Sequence, residues 1–217
     1  MQGLSFAELC DAIKALKSKK VVLLFHTIGD RDAVGSATAL SEYFDDASIV
    51  TPDFITNNAR RMLQYIQYEK KIASQFPQDA EAALVFDANN LYALGKLGER
   101  INAFGKRTVF IDHHAPHGEL TIEARMFNDE SYNSTASIVY EVLKKLGGAV
   151  TKGQAFLLLN GISADSADLQ NSSPQTFMQI SELLAIAKLD FSFFSEYFKK
   201  DIPVNLNSDD RLAIMRR

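Results

Sequence analysis

Short apolar runs alternate with amphipathic stretches along most of the chain. Val21 to Phe25, Ala47 to Val50, Ala83 to Phe86 and Thr108 to Ile111 are mostly apolar over four or five residues, as expected of strands covered on both faces. Apolar positions recur at helical spacing in Ser5 to Lys17, Ala33 to Phe44, Asn58 to Tyr68, Leu91 to Phe104, Thr135 to Leu146, Lys152 to Ala164 and Pro174 to Ala187. Strands interleaved with helices in this way predict an α/β fold: a doubly wound, mainly parallel sheet with helices on both faces. Thr121 to Phe127 differs, because Ile122, Ala124 and Met126 alternate with Glu123 and Arg125. That pattern predicts an edge strand with one wet face. Phe191 to Phe198 reads as one more helix and Asp201 to Asn207 as a connector, after which Ser208 is placed to cap a final turn, Asp209 to Arg217.

At 217 residues with 47% hydrophobic content the chain can bury one full core. One domain is expected over residues 1–199, with 200–217 as a linker or the start of a connecting helix. The net charge of -4 argues against a surface coated with positive charge for long duplex DNA and suits a small or short anionic substrate better. Cys10 is the only cysteine, so any metal must be held by imidazole and carboxylate. No apolar stretch approaches the roughly 20 residues of a membrane span, and the N-terminus lacks the pattern of a secretory signal. The expectation is a soluble, cytoplasmic protein.

Four segments carry the candidate chemistry. His26, Asp30 and Asp32 follow the first apolar run, spaced so that a tight loop can turn His26 and Asp30 to one cation and Asp32 to another; Asp32 is also placed to cap the helix that follows, and turn or cap roles for both acids are the plain alternative. The small residues Ala33, Gly35, Ser36 and Ala37 would let that helix approach the site closely. Asp87 follows the third run and is placed to bridge two cations, with Asn89 and Asn90 as candidate helix caps. Asp112, His113 and His114 end the fourth run. Neighbours on an extended segment point opposite ways, so one histidine can bind metal while the next faces substrate, and a carboxylate beside imidazole can orient the ring. Three of the chain's four histidines, His113, His114 and His117, fall within five residues; His117 reads equally well as an exposed turn. Asp165 closes an apolar helix at Asn160-Gly161-Ile-Ser-Ala-Asp165-Ser166. A carboxylate at a helix C-terminus is electrostatically unfavourable and calls for a cation. Ser134 and Thr135, at the start of a helix, offer hydroxyls and N–H groups to an anion, and are ordinary caps as well.

In this order, from about Val21 to about Lys199, the segments resemble the DHH phosphoesterase superfamily, in particular the N-terminal catalytic domain of nanoRNase/pAp-phosphatase-like and RecJ-like proteins. Its first motif is matched by His26-Thr-Ile-Gly-Asp30-Arg-Asp32-Ala-Val-Gly-Ser36, the second by Asp87, the third by Asp112-His113-His114 and the fourth by Gly161-Ile-Ser-Ala-Asp165-Ser166. Asn133-Ser134-Thr135-Ala136 and Asp168 to Thr176 match its remaining segments. Each match is weak alone; the ordered set is specific. Ile28-Gly29 stands where members often carry Asn-Pro, a change expected to affect loop rigidity more than metal binding.

The resemblance implies two divalent ions, usually Mn²⁺, with Co²⁺ or Mg²⁺ as alternatives. His26, Asp30 and Asp87 would hold the first, and Asp32, Asp87, His113 and Asp165 the second. The mixed nitrogen and oxygen shell independently suits Mn²⁺ over Mg²⁺. His114 would meet the phosphate or leaving group with Asp112 as its orienting partner, and Ser134 and Thr135 would lie near the substrate. The expected activity is hydrolysis of short nucleotide phosphodiesters or phosphomonoesters, such as 3′-phosphoadenosine 5′-phosphate or oligonucleotides of a few residues. A RecJ-like single-strand exonuclease is the alternative, an inorganic pyrophosphatase the third reading, and an inactive module serving assembly the reading from another class. The intact ligand set argues against inactivity. Most members continue into a second domain with a glycine-rich, His- or Arg-bearing clamp that has no counterpart here, so the chain is expected to be the catalytic half of a longer protein rather than a natural single-domain form, or to work with a partner subunit or as an oligomer.

Overall fold

A computed structural model describes residues 2–115, 122–166 and 169–198. Its centre is a parallel sheet of six strands: β1 (Gln2–Gly3), β2 (Lys20–Phe25), β3 (Asp46–Val50), β4 (Ala82–Phe86), β5 (Thr108–Asp112) and β6 (Arg125–Asn128), in the order β1-β6-β5-β4-β2-β3. Side chains alternate between two cores. Val21, Leu23 and Phe25 of β2 pack into one with Leu84, Phe86, Val109 and Ile111, while Val22 and Leu24 join Val85 and Phe110 in the other. Parallel strands covered on both faces must be apolar at nearly every position, which is why these runs were readable as strands.

The first core is closed by α1 (Phe6–Ala15), α2 (Arg31–Ser41), α3 (Asn57–Tyr65), α5 (Thr135–Lys145), α6 (Lys152–Asp165), α7 (Pro174–Ala187) and α8 (Phe191–Phe198). The second is closed mainly by α4 (Gly98–Phe104) and the 3-10 turn before it, Tyr92–Leu97. From β2 the chain crosses by α2 to β3 on one side, and from β4 by α4 to β5 on the other. The C-terminal ends of β2 and β4 therefore flank a topological switch point, where open α/β sheets form their crevice. No described helix is long and apolar enough to cross a membrane.

Three expectations are corrected. The strand after residue 121 is not at the edge: Gln2 and Gly3 pair with Arg125 and Met126 outside it, a strand too short to show a period. Leu91 to Phe104 is not one helix but a 3-10 segment, Tyr92–Leu97, kinked at Gly95, whose φ of 49° is not helical, followed by the separate helix α4. Asp30, rather than Asp32, caps α2, accepting from the N–H of Ala33 at 3.1 Å. Asp32 sits inside the first turn.

Every residue of α2 is buried. Its small side chains let neighbouring helices close in, and a Cβ on Gly35 would stand 2.8 Å from the carbonyl oxygen of Leu157 in α6. The helix is thus a shared inner wall, with its N-terminus under the strand ends.

Candidate metal centre

His26 follows β2, Asp87 follows β4, and Asp112 ends β5 ahead of His113 and His114. Three adjacent strands therefore deliver their chemistry to one edge. Asp87 has a φ of 57°, in the left-handed region, a conformation Asp adopts more readily than most side chains. The chain turns there while the Asp87 N–H still donates to the Ile111 carbonyl at 3.0 Å. The loop carrying Asp30 is pinned as well. Gly29 has a φ of 51°, a Cβ there would lie 2.7 Å from the Phe54 carbonyl oxygen, and Thr56 donates its N–H to the Gly29 carbonyl at 2.9 Å. Gly29 thus serves a held turn.

His26 Nε2 lies 3.1 Å from Oδ2 of Asp87 and 3.3 Å from Oδ2 of Asp30. On the opposite side of Asp87, Oδ1 lies 3.6 Å from His113 Nε2. That imidazole is also 3.0 Å from Asp165 Oδ2 and 3.9 Å from Asp32 Oδ2. His26, Asp30 and Asp87 form one group with donor atoms within 4.8 Å of one another, and Asp32, Asp87, His113 and Asp165 form a second. The resemblance would place these same residues around two cations, and Asp87 belongs to both groups. A third such group is Asp87, Asp112, His113 and His114.

His114 Nδ1 is 2.8 Å from Asp112 Oδ1, and the same oxygen accepts the N–H groups of His113 at 2.8 Å and His114 at 3.3 Å. Asp112 is fully buried and organises the turn as well as the ring. The two imidazoles do not point opposite ways: their centroids are 4.2 Å apart, because β5 ends at Asp112 and strand alternation ends with it. Asn89 and Asn128, on neighbouring strand ends, donate side-chain N–H groups to the carbonyls of Ala115 and His114 at 3.0 and 2.9 Å. Their support of this loop was not visible in the sequence. Asn90 accepts the N–H of Ala93 at 2.9 Å, so it closes the turn after Asp87. His117 lies outside the described residues.

The N-terminus of α5 is turned onto the carboxylates. Thr135 and Ala136 donate their N–H groups to Asp32 Oδ2 and Oδ1 at 2.7 and 2.8 Å, and Thr135 Oγ1 donates to Asp87 Oδ1 at 3.1 Å. Ser134 is buried and caps the helix through the Ser137 N–H at 3.0 Å. Of the groups expected to face a substrate anion, the N–H and hydroxyl of Thr135 are engaged with Asp32 and Asp87, and the hydroxyl of Ser134 with Ser137.

Burial and the neighbouring acids Asp165, Asp87 and Asp30 hold the Asp32 carboxyl well above the usual range. Burial, with Asp87 and Asp30, raises Asp165 to about 6 against the pull of His113. Burial alone would lower His113, but the hydrogen bond to Asp165 and the charges of Asp87, Asp165 and Asp112 outweigh it and lift the imidazole to about 9. His114 is raised in the same way by Asp112 and Asp87. The cleft therefore holds clustered negative charge that protons neutralise in part. Oxygen and imidazole donors converging at such spacing fit divalent cations.

A 26% identical protein of Methanocaldococcus jannaschii, uncharacterised, aligns with 80% of this chain and 54% of its own length. A Streptococcus agalactiae protein named probable manganese-dependent inorganic pyrophosphatase is 27% identical over 72% of this chain and 51% of its own length. The chain thus spans about half the length of these relatives. The solved structure of an exopolyphosphatase-related protein from Bacteroides fragilis superposes with a TM-score of 0.72 over 97% of this chain and 63% of that one, at 19% identity. The same α/β sheet is shared. The model of the DHH family, N-terminal domain, matches residues 20–162, which take in His26, Asp30, Asp32, Asp87 and the Asp112-His113-His114 triplet that structure gathers at one edge: the chain belongs to the DHH family.

Proposed function

We propose that the chain is the catalytic part of a two-metal-ion phosphohydrolase acting on short nucleotide phosphodiesters or phosphomonoesters, with Mn²⁺ as its metal. One observation carries the two-ion reading. Asp87 presents Oδ2 to His26 and Oδ1 to His113, so one carboxylate faces two separate donor groups. His26, Asp30 and Asp87 would hold one ion and Asp32, Asp87, His113 and Asp165 the other. Such a pair of ions, when bound, supplies an activated water and neutralises charge developing on the phosphoryl oxygens.

The protein's own groups do the rest. Asp112 fixes the His114 ring through Nδ1, which leaves Nε2 as the nitrogen to meet a phosphate oxygen or to give a proton to the leaving group. Thr135 and Ala136 hold Asp32 in place, so the helix dipole of α5 acts on a ligand instead of on the substrate. Asn89 and Asn128 keep the histidine loop over the cleft. Thr135 also donates its hydroxyl to Asp87, and Ser134 caps the helix that presents it.

A second reading, hydrolysis of inorganic pyrophosphate, is favoured by the name of the 27% identical streptococcal relative. One experiment separates the two: metal content of the purified protein, followed by turnover with Mn²⁺ on 3′-phosphoadenosine 5′-phosphate, dinucleotides, cyclic dinucleotides, a single-stranded oligomer and pyrophosphate. Preferred cleavage of the short nucleotides supports the first reading and of pyrophosphate the second. Two bound ions with no turnover on any of them would refute both.

A further inference from the structure

Gly161 lies on α6 one turn before Asp165. A methyl group added at its Cα would stand 2.6 Å from Asp32 Oδ1, 2.6 Å from Ala136 Cβ and 3.1 Å from Asp32 Cα. Two of these contacts fall on Asp32 itself. The third falls on the residue whose N–H holds Asp32 Oδ1 at 2.8 Å. None is with the far end of a flexible side chain, since Asp32 is fully buried and bound by Thr135 and Ala136. Leu157, Gly161 and Asp165 recur at every fourth residue and share one face of α6. Along that face, the carbonyl oxygen of Leu157 meets Gly35 of α2 and Gly161 meets Asp32. Asp165 then reaches His113 at 3.0 Å.

We propose that Gly161 is a positioning residue for the second ion: the absence of a side chain there lets the turn of α6 that carries Asp165 lie directly against Asp32, so that both carboxylates join Asp87 and His113 in one donor group. The inference rests on the two-ion reading and adds the element that sets the spacing of its second site. A purely structural role makes a different forecast. If Gly161 only allowed α6 to pack on α5, relief at Ala136 would restore everything; contact with Asp32 cannot be relieved that way.

The test is a Mn²⁺ titration with the affinity of each ion resolved, together with melting temperatures, on the wild-type chain, Gly161→Ala, the double variant Gly161→Ala/Ala136→Gly, and Gly35→Ala. Replacing a residue that orients a metal ligand typically weakens binding by about 10–100-fold. That loss is expected at the second ion in Gly161→Ala and also in the double variant, which removes the clash with Ala136 and keeps the test available if the single variant folds poorly. The first ion should bind nearly as in wild type. Gly35→Ala, striking the same helix pair away from Asp32, should lower the melting temperature with a smaller effect on the second ion. Wild-type affinity for the second ion in the double variant would overturn the assignment, as would equal weakening of both ions or an equal loss in Gly35→Ala. A wild-type chain that takes up fewer than two ions would overturn the two-ion reading itself, and this inference with it.

Discussion

The two ends of the sheet carry the same kinds of side chain to opposite effect. At the N-terminal ends of the strands, Lys19 pairs with Glu81 at 2.9 Å, Lys20 with Asp79 at 2.5 Å and Lys106 with Glu123 at 3.4 Å, with roughly half or more of most side chains in water. Each of these three acids meets a lysine, and solvent screens the pair, so little stability rests on it. At the C-terminal ends, Asp32, Asp87 and Asp112 are buried, and the site's acids meet imidazoles, backbone N–H groups and the hydroxyls of Ser36 and Thr135 instead of lysines. Burial and the neighbouring acids raise the proton affinity of Asp32 and of Asp165. The comparison shows that burial, not composition, turns acids into a candidate metal site.

The sharpest way to break this contrast is at Asp87. Asp87→Asn should weaken both ions together, on the order of 100-fold or more since a shared ligand is altered directly, and turnover should fall to background. Elemental analysis showing two ions at full occupancy would refute the bridging role. Next in size is the division between the histidines. His113→Ala should empty the second ion position, whereas His114→Ala should keep both ions and lose about 10²–10⁴-fold in turnover, the usual worth of a general acid or base. Comparable metal loss in the two variants would contradict separate roles.

A third prediction concerns pH. His113, held at about 9 against an ordinary 6.5, stabilises the metal-free fold fully below 6.5 and loses that contribution as pH rises through 9. Asp165, raised from 3.8 to about 6, acts in the same sense, because its ionised form opposes folding increasingly as pH rises through that range. The metal-free protein should therefore lose stability between pH 6.5 and 9, by on the order of 1–3 kcal/mol from His113. Mn²⁺ should reverse the trend, since its ligands bind deprotonated and release protons. Denaturation curves with and without Mn²⁺ check this, and a metal-free stability that rises over the same interval would contradict it. The smallest effect is expected at the other end of the sheet: Lys20→Ala and Glu81→Ala should leave metal affinity and melting temperature unchanged within error. A fall in metal affinity from either would erase the distinction between the two ends.

How much of this was legible in the chain differs from element to element. β2, β4 and β5 were readable because burial on both faces leaves a continuous apolar signature, β3, at the edge, because its run ends in buried Ile49 and Val50, and Pro174–Ala187 because its apolar positions recur at helical spacing. β1 was not, since two exposed residues carry no period and its pairing with Arg125 and Met126 is a long-range event. The kink at Gly95 hid inside an apolar stretch of helical appearance. At the site, the ligand candidates were legible because their types and order are distinctive. Their supports, Asn89, Asn128 and the N–H groups of Thr135 and Ala136, were hidden by their ordinary identities.

What the sequence determined by itself was therefore the inventory: which side chains can bind metal, and that each follows a buried strand or ends a helix, since both facts follow from residue type and local periodicity. Only the tertiary structure decided which of them come within 4.8 Å of one another. Asp32 and Asp165 are far apart along the chain, and nothing local brings them together. They meet because α2 and α6 press close at Gly35 and Gly161, while α5 turns its N-terminal N–H groups onto Asp32. Distances between separate elements are set by packing in a dense core, and that is information no single segment carries.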